Sequence, residues 1–82
     1  MICCRSNLVP GKQVQIWAIA EERYGAQLLC AVDNVHGTVD EHKAWMKEVG
    51  IKRKNYFQLN TMIHFFALEG DGALFYLRWK KP

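Results

Sequence analysis

Two dense apolar and aromatic runs in the stretch Met62 to Lys80 (MIHFFALEGDGALFYLRWK) flank Glu69-Gly70-Asp71-Gly72, and about half of the chain's aromatic residues lie there. Glycines between two such runs suit a tight reversal, so the pattern predicts a β-hairpin at the structural centre. The stretch holds no nucleophile, ligand set or phosphate-binding loop. It therefore constrains the fold more than the chemistry.

Upstream, Pro10-Gly11 separates a short head from Gln13 to Glu22 (QVQIWAIAEE), whose β-branched and aromatic content favours a strand. Val14, Ile16, Ala18 and Ala20 then line one face, and Gln15, Trp17, Ile19 and Glu21 the other. A helix from Gln13 to Arg23 closed by Gly25 also fits the spacing. The extended run Ala26 to Val32 beyond Arg23-Tyr24-Gly25 tips the choice towards a first hairpin.

The strongest local signal is Thr38-Val39-Asp40-Glu41, whose Thr-x-x-Glu spacing lets two side chains reciprocally satisfy the free amides of a helix start. His42, Trp45, Met46 and Val49 follow at i, i+3, i+4 and i+7. Gly50 stands where a left-handed closing residue is needed, and Ile51 can fold back onto Met46. A helix is predicted from Val39 to Val49, with Asp40 and Glu41 at its positive end and Lys47 near its negative end. Lys52 to Leu59 reads as a further helical turn.

The predicted fold is α+β: a four-stranded antiparallel sheet of two hairpins in ββαββ order, with one helix packed on a face. Residues 1–82 form a single domain. Apolar side chains on both strand faces, among them Trp17, Ile19, Phe66, Leu74 and Tyr76, exceed what one helix covers, so a homodimer closing the open face is expected.

A chain of 82 residues that is 50% hydrophobic and 23% charged is a folded domain rather than a disordered segment. No run approaches the roughly 20 apolar residues that cross a bilayer, and the N-terminal residues lack the apolar core of a signal peptide. No membrane association is expected and the cytoplasm is the predicted compartment. Three cysteines, two of them adjacent, make a poor disulfide framework and point to reduced thiols. A net charge of +3 admits nucleic acid and protein partners alike.

Cys3, Cys4, Cys30, His36, His42 and His64 could ligate a metal, but their spacing lacks the close pairs of zinc sites, so neither metal nor cofactor is predicted. His42 and His64 read as packed histidines with a hydrogen-bond partner. Cys30 within LLCAV reads as a small buried hydrophobe, and no base is paired in sequence with Cys3, Cys4, Cys30 or Ser6. Asp33-Asn34 suits a turn, while Asp40 and Glu41 are explained by capping. No catalytic residue is assigned.

The best functional lead is basic and aromatic. Lys52, Arg53 and Lys54 follow the helix, Tyr56 comes next, and Arg78, Trp79, Lys80 and Lys81 end the chain. Cations of this kind meet phosphates, and exposed rings stack on bases.

Within Leu28 to Phe66, Asp33, Glu41, His42, Gly50, Ile51, Arg53, Phe57, Gln58 and His64 form a series of short motifs. The series resembles a family of small uncharacterised bacterial and phage proteins, which show an apolar strand ending in Asp, a Glu-Leu-His helix, Gly-Ile/Val, a basic-aromatic-Phe-Gln run and His-Tyr. The resemblance covers under half of the chain. Family members commonly carry acidic residues in the first strand and a basic helical segment after His-Tyr, whereas this chain has Ala20-Glu21-Glu22 and an expected hairpin. The resemblance implies a phage or mobile-DNA background and no established activity.

The leading expectation is a non-enzymatic interaction module, dimeric, whose sheet or basic rim engages a macromolecule. The alternative is a nucleic-acid binder using Lys52, Arg53, Lys54, Arg78, Lys80 and Lys81 with Tyr56 or Trp79 as stacking surface. A third reading is a small nuclease-like enzyme with His36, Asp40 or His64 in acid-base roles.

Overall fold

The computed structural model describes residues 2–4, 11–25, 28–59 and 63–81. The side chains of Cys3 and Cys4, and the whole of Ser6 and Pro10, lie outside what is described. The elements are β1 (Ile2–Cys4), α1 (Lys12–Tyr24), β2 (Cys30–Val32), α2 (Val39–Val49), a single 3-10 turn (Arg53–Asn55), β3 (Tyr56–Gln58), β4 (His64–Phe66) and α3 (Glu69–Trp79). Three short strands, β2, β4 and β3, form an antiparallel sheet with β4 between the other two. β1 adds to the β2 edge, giving the order β1-β2-β4-β3.

The ββαββ arrangement of two hairpins and one helix is thereby corrected: the described residues form three α-helices, and these lie on both faces of the sheet. Strand side chains alternate between the two faces. The cross-strand row Tyr56, Phe66 and Cys30 faces α2 and α3, packing with Val32, Met46, Ile51, Phe75 and Trp79. The intervening row Phe57, Phe65 and Ala31 faces α1, where Trp17, Ala20, Ile16 and Tyr24 cover it. Trp17 meets Phe65 edge-on at 5.4 Å between ring centroids.

Gln13 to Glu22 belongs to helix α1 and not to a strand. Ile16, Trp17, Ala20 and Tyr24 recur at helical spacing on the covered side, while Val14 and Ile19, which a strand would place on opposite faces, are both exposed. Gly25 ends the helix in the left-handed conformation at φ 62°, its amide donating to the Glu21 carbonyl. The Tyr24 hydroxyl donates to the Gln58 carbonyl and ties α1 to β3. No first hairpin forms, because β2 pairs with β1 and β4.

The second expected hairpin is also replaced. Its first run contributes β4, whose hairpin partner is the preceding strand β3, and its second run is α3. Gly72, Phe75 and Trp79 share the buried side of α3. Gly70 and Gly72 are not among the residues at positive φ, so neither makes a turn. Gly72 instead permits close packing: a Cβ there would stand 2.3 Å from the Cys30 Sγ. Apolar runs of this length do not by themselves separate period 2 from period 3.6, and glycine serves a close helix contact as readily as a reversal. The run after α2 forms only the Arg53–Asn55 turn before entering β3.

Helix α2 has the predicted bounds. The Glu41 amide donates to the Thr38 hydroxyl at 3.2 Å, and the Thr38 amide donates to the Glu41 carboxylate at 2.9 Å. These bonds hold the Glu41 carboxyl below its ordinary range. Gly50 closes the helix at φ 87°, and the Ile51 amide donates to the Met46 carbonyl at 2.9 Å.

Part of the apolar surplus is consumed within the chain: Trp17 and Phe66 are 4% and 0% exposed and Tyr76 packs partly buried against the core, whereas Ile19 and Leu74 remain outside. The sheet face that a homodimer was expected to close is occupied by α1. Among the described residues, no helix is long and apolar enough to cross a membrane.

Candidate functional site

The end of α2, its glycine closure and the 3-10 turn enclose a half-open pocket of about 140 Å³. Lys43 and Lys47 are one helical turn apart on α2, and the turn beyond Gly50 brings Arg53 to the same opening. Met46, Ile51 and Tyr56, all buried, complete the lining. The geometry has a local cause. The left-handed closure reverses the chain so that Ile51 packs back on Met46, and the Asn55 amide donates to the Lys52 carbonyl at 2.9 Å to tighten the next turn.

The lining contains three cations and no carboxylate. Among the described residues, none of the three cations is held in an ion pair. Like charges at i and i+4 cost a helix a few tenths of a kcal/mol, so Lys43 and Lys47 do not serve the stability of α2 as a pair. They do set a positive field over an apolar floor. A pocket of this size is below the about 300–1,000 Å³ of drug-sized ligand sites and suits one planar ring or a small anion.

Behind the pocket, Tyr56 connects to a buried cluster. Its hydroxyl lies 2.7 Å from His64 Nδ1. Burial pushes this hydroxyl far above the ordinary phenol range, with a smaller effect from Tyr24, so it remains protonated. Burial, and then the neighbouring His42, depress His64 to about 4, leaving it neutral at pH 7. The contact is satisfied when Tyr56 donates to Nδ1 and the imidazole proton sits on Nε2. His42 donates from Nε2 to the His36 carbonyl at 2.7 Å, and its ring stands edge-on to His64, Phe75 and Trp79. His42 Nδ1, His64 Nε2 and Trp79 Nε1 are buried without a hydrogen-bond partner among the described residues.

The sequence-predicted site residues divide accordingly. Arg53 and Tyr56 line the pocket, and Lys52 and Lys54 are exposed on the same turn. Tyr56 and Trp79 are core residues, 8% and 4% exposed, and neither offers an open ring face for stacking. Arg78, Lys80 and Lys81 are exposed at the end of α3 and do not line the pocket. Arg78 stands over the Trp79 ring at 4.1 Å, while the Lys80 backbone forms a bridge with Val35.

Sequence reasoning misses Lys43, Met46, Lys47 and Ile51 as site residues. The i, i+4 lysine pair on a well-defined helix is the available signal, but the apolar floor requires the packed turn. His64 has no exposed surface, whereas His36, beside Trp79, and Asp40 are both exposed, so the three groups named for acid-base roles do not all meet at one accessible site. Among the described residues, no group of three His, Cys, Asp or Glu side chains is placed to hold a metal ion.

No family model, curated protein or solved structure matches the chain.

Proposed function

We propose that this chain is a non-catalytic interaction module that binds single-stranded nucleic acid at the α2 pocket. The supporting observation is the ring of Lys43, Lys47 and Arg53 around an apolar floor of Met46, Ile51 and Tyr56. The cations meet backbone phosphates, with Lys52 and Lys54 extending the positive rim, and an unpaired base enters the pocket. A duplex keeps its bases stacked and presents none to such a floor. Recognition is sequence-tolerant, because the floor offers apolar contact to any base. Docking of a partner on an open sheet face loses its support, since helices cover both faces.

The test is fluorescence anisotropy with labelled single-stranded RNA and DNA and a matched duplex, across a salt series. The Lys43→Glu/Lys47→Glu variant is compared with the parent. Single strands should bind more tightly than the duplex, and the variant should lose about 0.7 from the salt-dependence slope for each phosphate contact removed. Equal binding by parent and variant, or no binding at low salt, refutes the proposal.

A further inference from the structure

Helix α3 presents an apolar face to solvent from one end to the other. Opposite the buried Gly72, Phe75 and Trp79, the positions i, i+3, i+4 and i+7 are Gly70, Ala73, Leu74 and Leu77, and all four are exposed. Leu74 and Leu77 leave 44% and 66% of their surface open. A surface helix ordinarily carries polar residues on this side. Here the charge is confined to the ends, with Glu69 and Asp71 in the first turn and Arg78 in the last, followed by Lys80.

We propose that this face is an interface with a second copy of the same chain, the two α3 helices packing antiparallel about a twofold axis. The distribution of charge selects both occupant and direction. An antiparallel pair sets the acidic start of one helix beside the basic end of the other, twice, and opposes the two helix dipoles. A parallel pair places acid against acid and base against base. The same arrangement brings Leu77 towards the partner's Gly70, where the absence of a side chain lets the helices approach closely.

The helix has 11 residues and is about 16 Å long. Its face is smaller than the about 800 Å² per partner of a standard stable interface, so association is weak and reversible. The face shares no residue with the α2 pocket, so the two can be tested separately.

Sedimentation equilibrium across the micromolar range provides the test. The parent mass should rise with concentration from one chain towards two. Leu77→Glu and Ala73→Glu should weaken association about tenfold or more while leaving the circular dichroism of the diluted, monomeric chain unchanged, because a carboxylate replaces apolar contact. Leu77→Gln repeats the test without adding charge. Arg78→Glu should weaken the dimer, and adding Asp71→Arg should restore it. A parent that stays monomeric throughout overturns the proposal, as does a dimer unaffected by Leu77→Glu, Leu77→Gln and Ala73→Glu. Failure of Asp71→Arg to rescue Arg78→Glu overturns the antiparallel pairing.

Discussion

Alanine at Gly70 and at Gly72 should shift stability in opposite directions. In a helix interior, Gly→Ala stabilises by about 1 kcal/mol, because alanine loses less backbone entropy on folding. Gly70 lies in the first turn of α3, is exposed and has no atom within 4 Å of the place a Cβ would take, so about 0.5 kcal/mol of stabilisation is expected there. At Gly72 the new Cβ would fall 2.3 Å from the Cys30 Sγ and 2.9 Å from its Cβ. Helix and strand must separate to relieve this, and overpacking of this kind costs about 1–3 kcal/mol. Subtracting the helix gain leaves a net loss of about 1 kcal/mol.

For a domain of this size, each kcal/mol moves the thermal midpoint by about 4–8 °C, so the two variants should separate clearly in a melting experiment followed by circular dichroism. Cys30→Ala removes the Sγ and should reduce the cost of Gly72→Ala, with the pair coupled by about 1 kcal/mol in a double-mutant cycle. A Gly72→Ala midpoint at or above that of the parent would refute the close contact. A Gly70→Ala midpoint well below the parent would refute the helical assignment, since that is the behaviour of a turn glycine at positive φ.

Other outcomes follow from the core. His64 is neutral in the fold and depressed to about 4, whereas unfolding returns it to its ordinary 6.5. The unfolded chain then binds the extra proton, so this contribution to stability is present above pH 6.5 and lost as pH falls towards 4. Between pH 7 and pH 5 the loss is about 2 kcal/mol, measurable by urea unfolding at those two values, where constant stability would contradict it. Phe65→Ala, at a fully buried position against Trp17, should cost about 3–5 kcal/mol in the same assay, and a loss below about 1 kcal/mol would remove Phe65 from the core. Thr38→Ala deletes the hydroxyl of the capping box and should cost about 1 kcal/mol, with no loss contradicting its role in holding α2.

The pocket combines information at two ranges. Lys43 and Lys47 share one side of a helix whose bounds are legible in the sequence, so their proximity is legible too. Arg53 and Tyr56 stand out in sequence for their charge and ring, but their roles differ: Arg53 reaches the opening, whereas Tyr56 forms part of the floor and turns its hydroxyl to His64. Trp79 has the sequence setting of a stacking surface, yet it packs against His42 and Trp45. An aromatic beside cations has the same local sequence whether its ring faces solvent or core, and only the packing of α3 on α2 separates these cases.

By itself the sequence determined α2, because its reciprocal cap, apolar spacing and left-handed glycine closure act within a few residues. Tertiary structure decided the states of α1 and α3. Their apolar runs satisfy strand and helix patterns together, and strands only three residues long leave little periodic signal. The sheet can bury both of its faces only when α1 covers Phe65 and when Gly72 lets α3 approach Cys30. Those contacts join residues far apart in the chain, where local propensity is a weak constraint and burial is the larger energy.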